Sequence, residues 1–208
     1  MPQVPARTVY EDPINFIRLE EDPYVLPEYS QSQHSHPFTI SPEEMTEVLR
    51  GIQVRDYRGT VTTWLLGGAA WEPVFHGEEI ALLAPRLSEA LERAKPNERV
   101  TFYLSHPQTS IKREITSGGI YVKDHHLHFI LGNYRIVYGI PAYGMVYDRR
   151  YPMRPTAPKG FEITFRPSTA VIHQESSLLD KMFGRAKDEL VIDLRTLGLG
   201  PSVARVRS

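Results

Sequence analysis

No cysteine occurs among the 208 residues. Disulfides, thiolate nucleophiles, zinc–thiolate centres and iron–sulfur clusters are excluded together. The compartment stays open, because a cysteine-free chain suits the cytosol and the periplasm alike. No stretch approaches the roughly 18 to 20 apolar residues that cross a bilayer as a helix. Charge of one sign does not dominate either: the formal net charge is −1, which argues against a globally basic nucleic-acid binder. Motifs that announce a reaction are lacking, with no GxxxxGK(S/T), no GxGxxG, no GxSxG elbow and no helical HExxH. The opening Met1-Pro2-Gln3-Val4-Pro5 has neither the basic nor the apolar region of a secretion signal.

What remains is an ordinary globular composition, 41% hydrophobic and 24% charged, in a chain long enough to bury a core. Its 17 prolines exceed the usual share of about 5% and predict long irregular connections. Residues 1–40 hold six acids (Glu11, Asp12, Glu20, Glu21, Asp22, Glu28) against Arg7 and Arg18, with five prolines up to Pro27. This stretch reads as an extended acidic arm with one strand around Asn15 to Leu19, or as a disordered linker.

Helix signals follow. Ser41 suits an N-cap, Pro42 the first helical position and Glu44 a capping box, with Met45, Val48, Leu49 and Ile52 at helical spacing and Gly51 marking the end. A second helix is expected from about Gly77 to Ala94, kinked or split near Ala84 by Pro85. Strand patterns dominate afterwards. They lie at Val100 to Leu104, along the meander from Ile111 to Tyr134, at Arg135 to Tyr138, at Phe161 to Phe165, at Ala170 to His173 and at Leu190 to Leu194. Within the meander, Gly118-Gly119, Lys123-Asp124 and Gly132-Asn133 read as turns. A short helix is expected from about Ser176 to Lys187. Helices set apart from serial strands favour an α+β domain over 41–195, mainly an antiparallel sheet with two principal helices and a short C-terminal one, followed by a tail over 196–208.

Three constellations could carry function. His125, His126 and His128 could bind metal, since His126 and His128 share one strand face; a hairpin turn with solvated histidines fits the same residues. Ser105-His106, Ser35-His36 and Asp148 could be assembled into a serine triad only on paper. Glu43-Glu44 and Glu78-Glu79 sit in first helical turns, where negative charge complements the helix dipole. The third constellation spans Tyr138 to Phe161, where Tyr138, Tyr143, Tyr147 and Tyr151 interleave with Arg149, Arg150, Arg154 and Lys159. Between Arg99 and Gly160 stand nine basic and three acidic residues, a local charge of +6. Tyrosine and arginine supply contact area and directional donors for recognition. The same residues also fit tyrosines packed over the sheet with arginines paired to the acidic arm. Trp64-Leu65-Leu66 with Trp71, and Leu178 to Arg185, could touch a membrane interface or cover a core edge.

Several stretches together resemble a family of uncharacterised bacterial cell-envelope lipoproteins. They are His36-Pro37 leading into Ile40-Ser41-Pro42-Glu43-Glu44, ERVTFYLSHP from Glu98, REITSGG from Arg113, HLHFILGNYR from His126, IPAYGMVYDRRYP from Ile140 and GRAKDELVIDL from Gly184. The resemblance implies a periplasm-facing protein, membrane-anchored through a lipidated cysteine that this chain does not contain, and it implies no catalytic activity. The expectation is therefore a non-catalytic binding or assembly protein that needs no cofactor. It would meet a protein or another envelope component through Tyr143, Tyr147, Arg149, Arg150, Tyr151 and Arg154. The alternative is a metal-binding module or metal-dependent enzyme built on His125, His126 and His128.

Overall fold

The computed structural model describes residues 5–26, 28–56, 69–110, 112–139, 149–156, 160–172 and 189–199. In chain order the elements begin with β1 (Ala6–Glu11), β2 (Phe16–Glu21), α1 (Pro42–Gly51), β3 (Ile52–Asp56), β4 (Glu72–Pro73) and α2 (Gly77–Arg93). They continue with β5 (Glu98–Pro107), β6 (Lys112–Lys123), β7 (His126–Gly139), β8 (Phe161–Phe165) and β9 (Glu189–Asp193). A six-stranded antiparallel sheet runs β1-β2-β5-β6-β7-β9, and a three-stranded one runs β4-β3-β8. The architecture is α+β.

Alternation along the large sheet sorts its side chains onto two faces. Ile17 and Leu19 on β2, Val100, Phe102 and Leu104 on β5, Ile120 and Val122 on β6, and Leu127, Phe129 and Leu131 on β7 are all buried in one core. Leu190 and Ile192 of β9 join them; α2 packs on this face at β1, β2 and β5, and α1 packs against α2 within the same core. Phe75 meets the rings of Phe102 and Phe129 edge-on, at 5.7 and 6.0 Å.

The helices form as their sequence dictates. Ser41 Oγ accepts the Glu44 amide at 3.1 Å while the Glu44 carboxylate accepts the Ser41 amide at 2.8 Å, so two orphan donors are satisfied at the start of α1. At its other end, a Cβ on Gly51 would fall onto the ring of Phe165. α2 is one helix through Pro85 rather than two. Proline frees only the carbonyl of Ala81, which lies on the exposed side where water can satisfy it.

Two readings from the sequence need correction here. Gly118-Gly119 and Gly132-Asn133 are not turns but lie inside the continuous strands β6 and β7, whose hairpin reverses at Asp124 and His125. Asp124 takes a left-handed φ of 57° there, a conformation aspartate tolerates. The expected strand at Ala170 to His173 is reduced to a single bridge, Val171 to Ile192. The acidic stretch that reads as an arm or linker contributes β1 and β2 to the sheet. The helix expected at Ser176 to Lys187, the cluster Leu178 to Arg185, and Trp64-Leu65-Leu66 lie outside the described residues.

Candidate functional site

The face of the large sheet turned away from the helices is the unusual one. Its residues are Phe16, Arg18 and Glu20 on β2, Arg99, Thr101, Tyr103 and Ser105 on β5, Ile115, Ser117, Gly119 and Tyr121 on β6, and His126, His128 and Ile130 on β7. Register aligns them in rows such as Phe16–Tyr103–Ser117 and Arg18–Thr101–Gly119–Ile130. One half of this face is a seat, and the other is a titratable network.

The seat holds residues 149–156. A Cβ on Gly119 would lie 2.7 Å from the sulfur of Met153, and one on Gly132 would lie 2.7 Å from the Pro152 carbonyl oxygen. Glycine at both positions lets the crossing backbone lie directly on the sheet. Ser117 Oγ donates to the Pro152 carbonyl at 2.7 Å. Asn133, fully buried, donates to the Arg154 carbonyl at 2.9 Å, and its Oδ1 accepts from the Thr156 amide and hydroxyl, each at 2.9 Å. The residues that look like a turn in the sequence are thus the clamps of this crossing.

On that fixed backbone Arg149, Arg150 and Arg154 are exposed, Tyr151 is half-buried and Pro152 is buried. The Arg149 guanidinium lies 4.9 Å over the Tyr103 ring and 5.7 Å from that of Phe16; the two rings stack at 5.1 Å. Arg154 sits 4.6 Å over Tyr151, with Arg150 at 5.8 Å. Tyr143 and Tyr147 lie outside the described residues, so four of the six expected contact residues are seen.

The other half of the face is a network that sequence reasoning missed. Tyr121 is sandwiched between two imidazoles, with His34 at 4.2 Å and His128 stacked at 4.4 Å. Each histidine has its own carboxylate, Asp22 to His34 Nε2 at 3.1 Å and Glu189 to His128 Nδ1 at 2.7 Å. Glu189 also accepts the Tyr121 hydroxyl at 2.6 Å. Burial pushes both carboxyl groups up, but the hydrogen bonds outweigh it: from His34, with the charge of Arg99, for Asp22, and from His128 and Tyr121 for Glu189. Both therefore titrate below the usual carboxylate range. Glu20 goes the other way; burial raises it despite the Thr101 hydroxyl at 2.9 Å. Among the described residues, Arg18 Nε, Arg99 Nε, His34 Nδ1 and Ser105 Oγ are buried without a hydrogen-bond partner.

The sequence-expected metal residues are not gathered into a ligand set. His125 lies in the hairpin turn, while His128 is buried, with Nδ1 committed to Glu189 and its ring against Tyr121. Among the described residues no three His, Asp or Glu side chains converge to hold a metal ion. Of the serine triad, Ser105 and His106 are turned apart. Ser105 faces the second face of the sheet, whereas His106 points to the helix side and bonds buried Glu79 at 2.9 Å; Asp148 lies outside the described residues. Glu79 also accepts the His76 amide at 2.7 Å, so it caps the helix besides placing negative charge in its first turn. Arg135, at a φ of 47° where β7 bulges, reaches the His76 ring.

The strand period carried a signal for the missed network. Ser117, Gly119 and Tyr121 fall on one face only if β6 is read straight through its glycine pair. Compared with known proteins, the chain matches no family model, no curated protein and no solved structure. Among the described residues no helix is long and apolar enough to cross a membrane.

Proposed function

We propose that this chain is a non-catalytic binding or assembly protein of the bacterial cell envelope, facing the periplasm and held there by a lipid anchor outside this sequence. Its contact surface is the segment around residues 143–154, and Arg149, Arg150, Tyr151 and Arg154 supply the described part. The observation that carries this reading is a clamped backbone beneath exposed Arg149, Arg150 and Arg154. Ser117 and Asn133 clamp the backbone at Pro152, Arg154 and Thr156, so little ordering entropy is lost when a partner docks. The composition of the segment supports it too, because arginine and tyrosine are enriched where interfaces carry most of their energy.

The test is affinity capture from an envelope extract with the intact protein and with the triple variant R149A/R150A/R154A. A bound species retained by the first and lost by the second, with unchanged circular dichroism, is the expected result. Equal capture by both removes the segment from the contact surface.

A further inference from the structure

The stretch from His34 to Phe38 is fastened to the sheet by one imidazole used at both ends. His36 is buried. Its Nδ1 lies 2.9 Å from the Glu98 carbonyl oxygen of β5, a group that can only accept. The Val122 amide of β6, which can only donate, points at Nε2 from 3.0 Å. These partners fix the tautomer: Nδ1 carries the proton and Nε2 offers its lone pair. A second proton would set an N–H against an N–H. Neighbouring backbone bonds depend on the same approach. His34 donates to the Pro96 carbonyl at 2.8 Å, Ser35 to Val122 at 2.8 Å and Phe38 to Leu91 at 3.0 Å, and the Asp124 amide donates to Ser35 Oγ at 2.7 Å.

We propose that residues 34–38 form an acid-released clasp: neutral His36 locks the segment across β5 and β6, and its protonation frees the segment and uncovers Tyr121. The charged groups that face His36 all bear on this step. On its own segment His34 stands 5.5 Å away ring to ring; Lys95 lies in the turn before β5, and Glu98 is on β5, tied to Arg7 of β1 at 2.6 Å. Beyond His34 are Asp22, Arg99 and Tyr121. Burial first, and then the charge of His34, hold the His36 imidazole well below the usual histidine range. Ionised Asp22 and Glu98 also belong to the closed form, so their protonation at still lower pH acts in the same direction. Opening would release the His34 ring that covers one side of Tyr121, leaving the His128 stack on the other.

Amide hydrogen exchange on the intact chain tests this, with intrinsic rates corrected for pH. Between pH 7 and pH 4 the amides of His34, Ser35, Phe38, Val122 and Asp124 should lose roughly a hundred-fold in protection and stay, at every pH, well below those of Phe102 and Phe129, which exchange only through global opening. In His36→Gln, whose amide offers one donor and one acceptor but takes up no proton, that pH dependence should vanish. Unchanged clasp protection at pH 4 in the unsubstituted protein overturns the proposal, as does clasp protection equal to that of Phe102 and Phe129 at both pH values, which would mean that the segment opens only when the whole protein does. A folded His36→Gln protein that keeps the full pH dependence overturns it as well.

Discussion

The two faces of the large sheet come from the same strands and obey different chemistry. Toward the helices, Phe102, Phe129, Leu104 and Val122 lie in one buried apolar cluster, and the surface is a core. Away from them, alternate residues of the same strands are Thr101, Tyr103, Ser117, Gly119, Tyr121 and His128. Each is matched to a specific partner, a crossing backbone or an aromatic face. The first face needs only hydrophobic side chains of the right volume. The second needs particular atoms at particular places, a demand that specifies one arrangement of the chain.

The largest effect should come from the first face. Phe129→Ala removes a fully buried ring that packs against both Phe75 and Phe102; a loss of about 4 kcal/mol in urea denaturation is expected. A difference below 1 kcal/mol would mean that this face is not the core.

Acid should act next, and through the clasp on the second face. The folded protein holds His36 at about 4, against 6.5 for the free side chain. The unfolded chain therefore takes up its proton first. Stability from the neutral imidazole is complete above pH 6.5 and lost as pH falls to about 4, by about 3 kcal/mol in all. Denaturation midpoints measured at steps between pH 7 and pH 4 check this, and a flat profile contradicts it.

Gly132→Ala addresses the seat. Its methyl would meet the Pro152 carbonyl at 2.7 Å and the Met153 backbone at 2.9 Å, so residues 149–156 must lift. The expected cost is about 2 kcal/mol, with proteolysis appearing within 149–156 while Phe129 stays protected. Smallest is Tyr121→Phe, which removes only the hydroxyl bonded to Glu189 and keeps both imidazole stacks; about 1 kcal/mol should be lost.

The same contrast decides what was legible in the sequence. The Ser41 capping box, the stripe of α2 and the apolar alternation of β5 to β7 are local signals, and each appears in the structure where its pattern stands. Long-range chemistry was harder to see. Ser117, Gly119, Gly132 and Asn133 carry turn chemistry in isolation, and only the arrival of residues 149–156 some 20 to 35 positions later explains them. His34 and Glu189 lie far from Tyr121 in sequence, so nothing local ties the three together. β1 was hidden because Ala6 to Glu11 is an edge strand with mostly exposed residues and so shows no apolar alternation. The arginines at 149, 150 and 154 are exposed, which was readable because charged side chains are seldom fully buried.

Site-specific photo-crosslinking tests the contact surface most directly. A photoreactive residue in place of Arg150 on the seated segment is compared with one in place of Glu47, exposed on α1, in the same envelope extract. An adduct formed from position 150 and not from position 47 is the predicted result. An adduct from position 47 with none from position 150 would contradict it, and would move the partner to the helix side of the molecule.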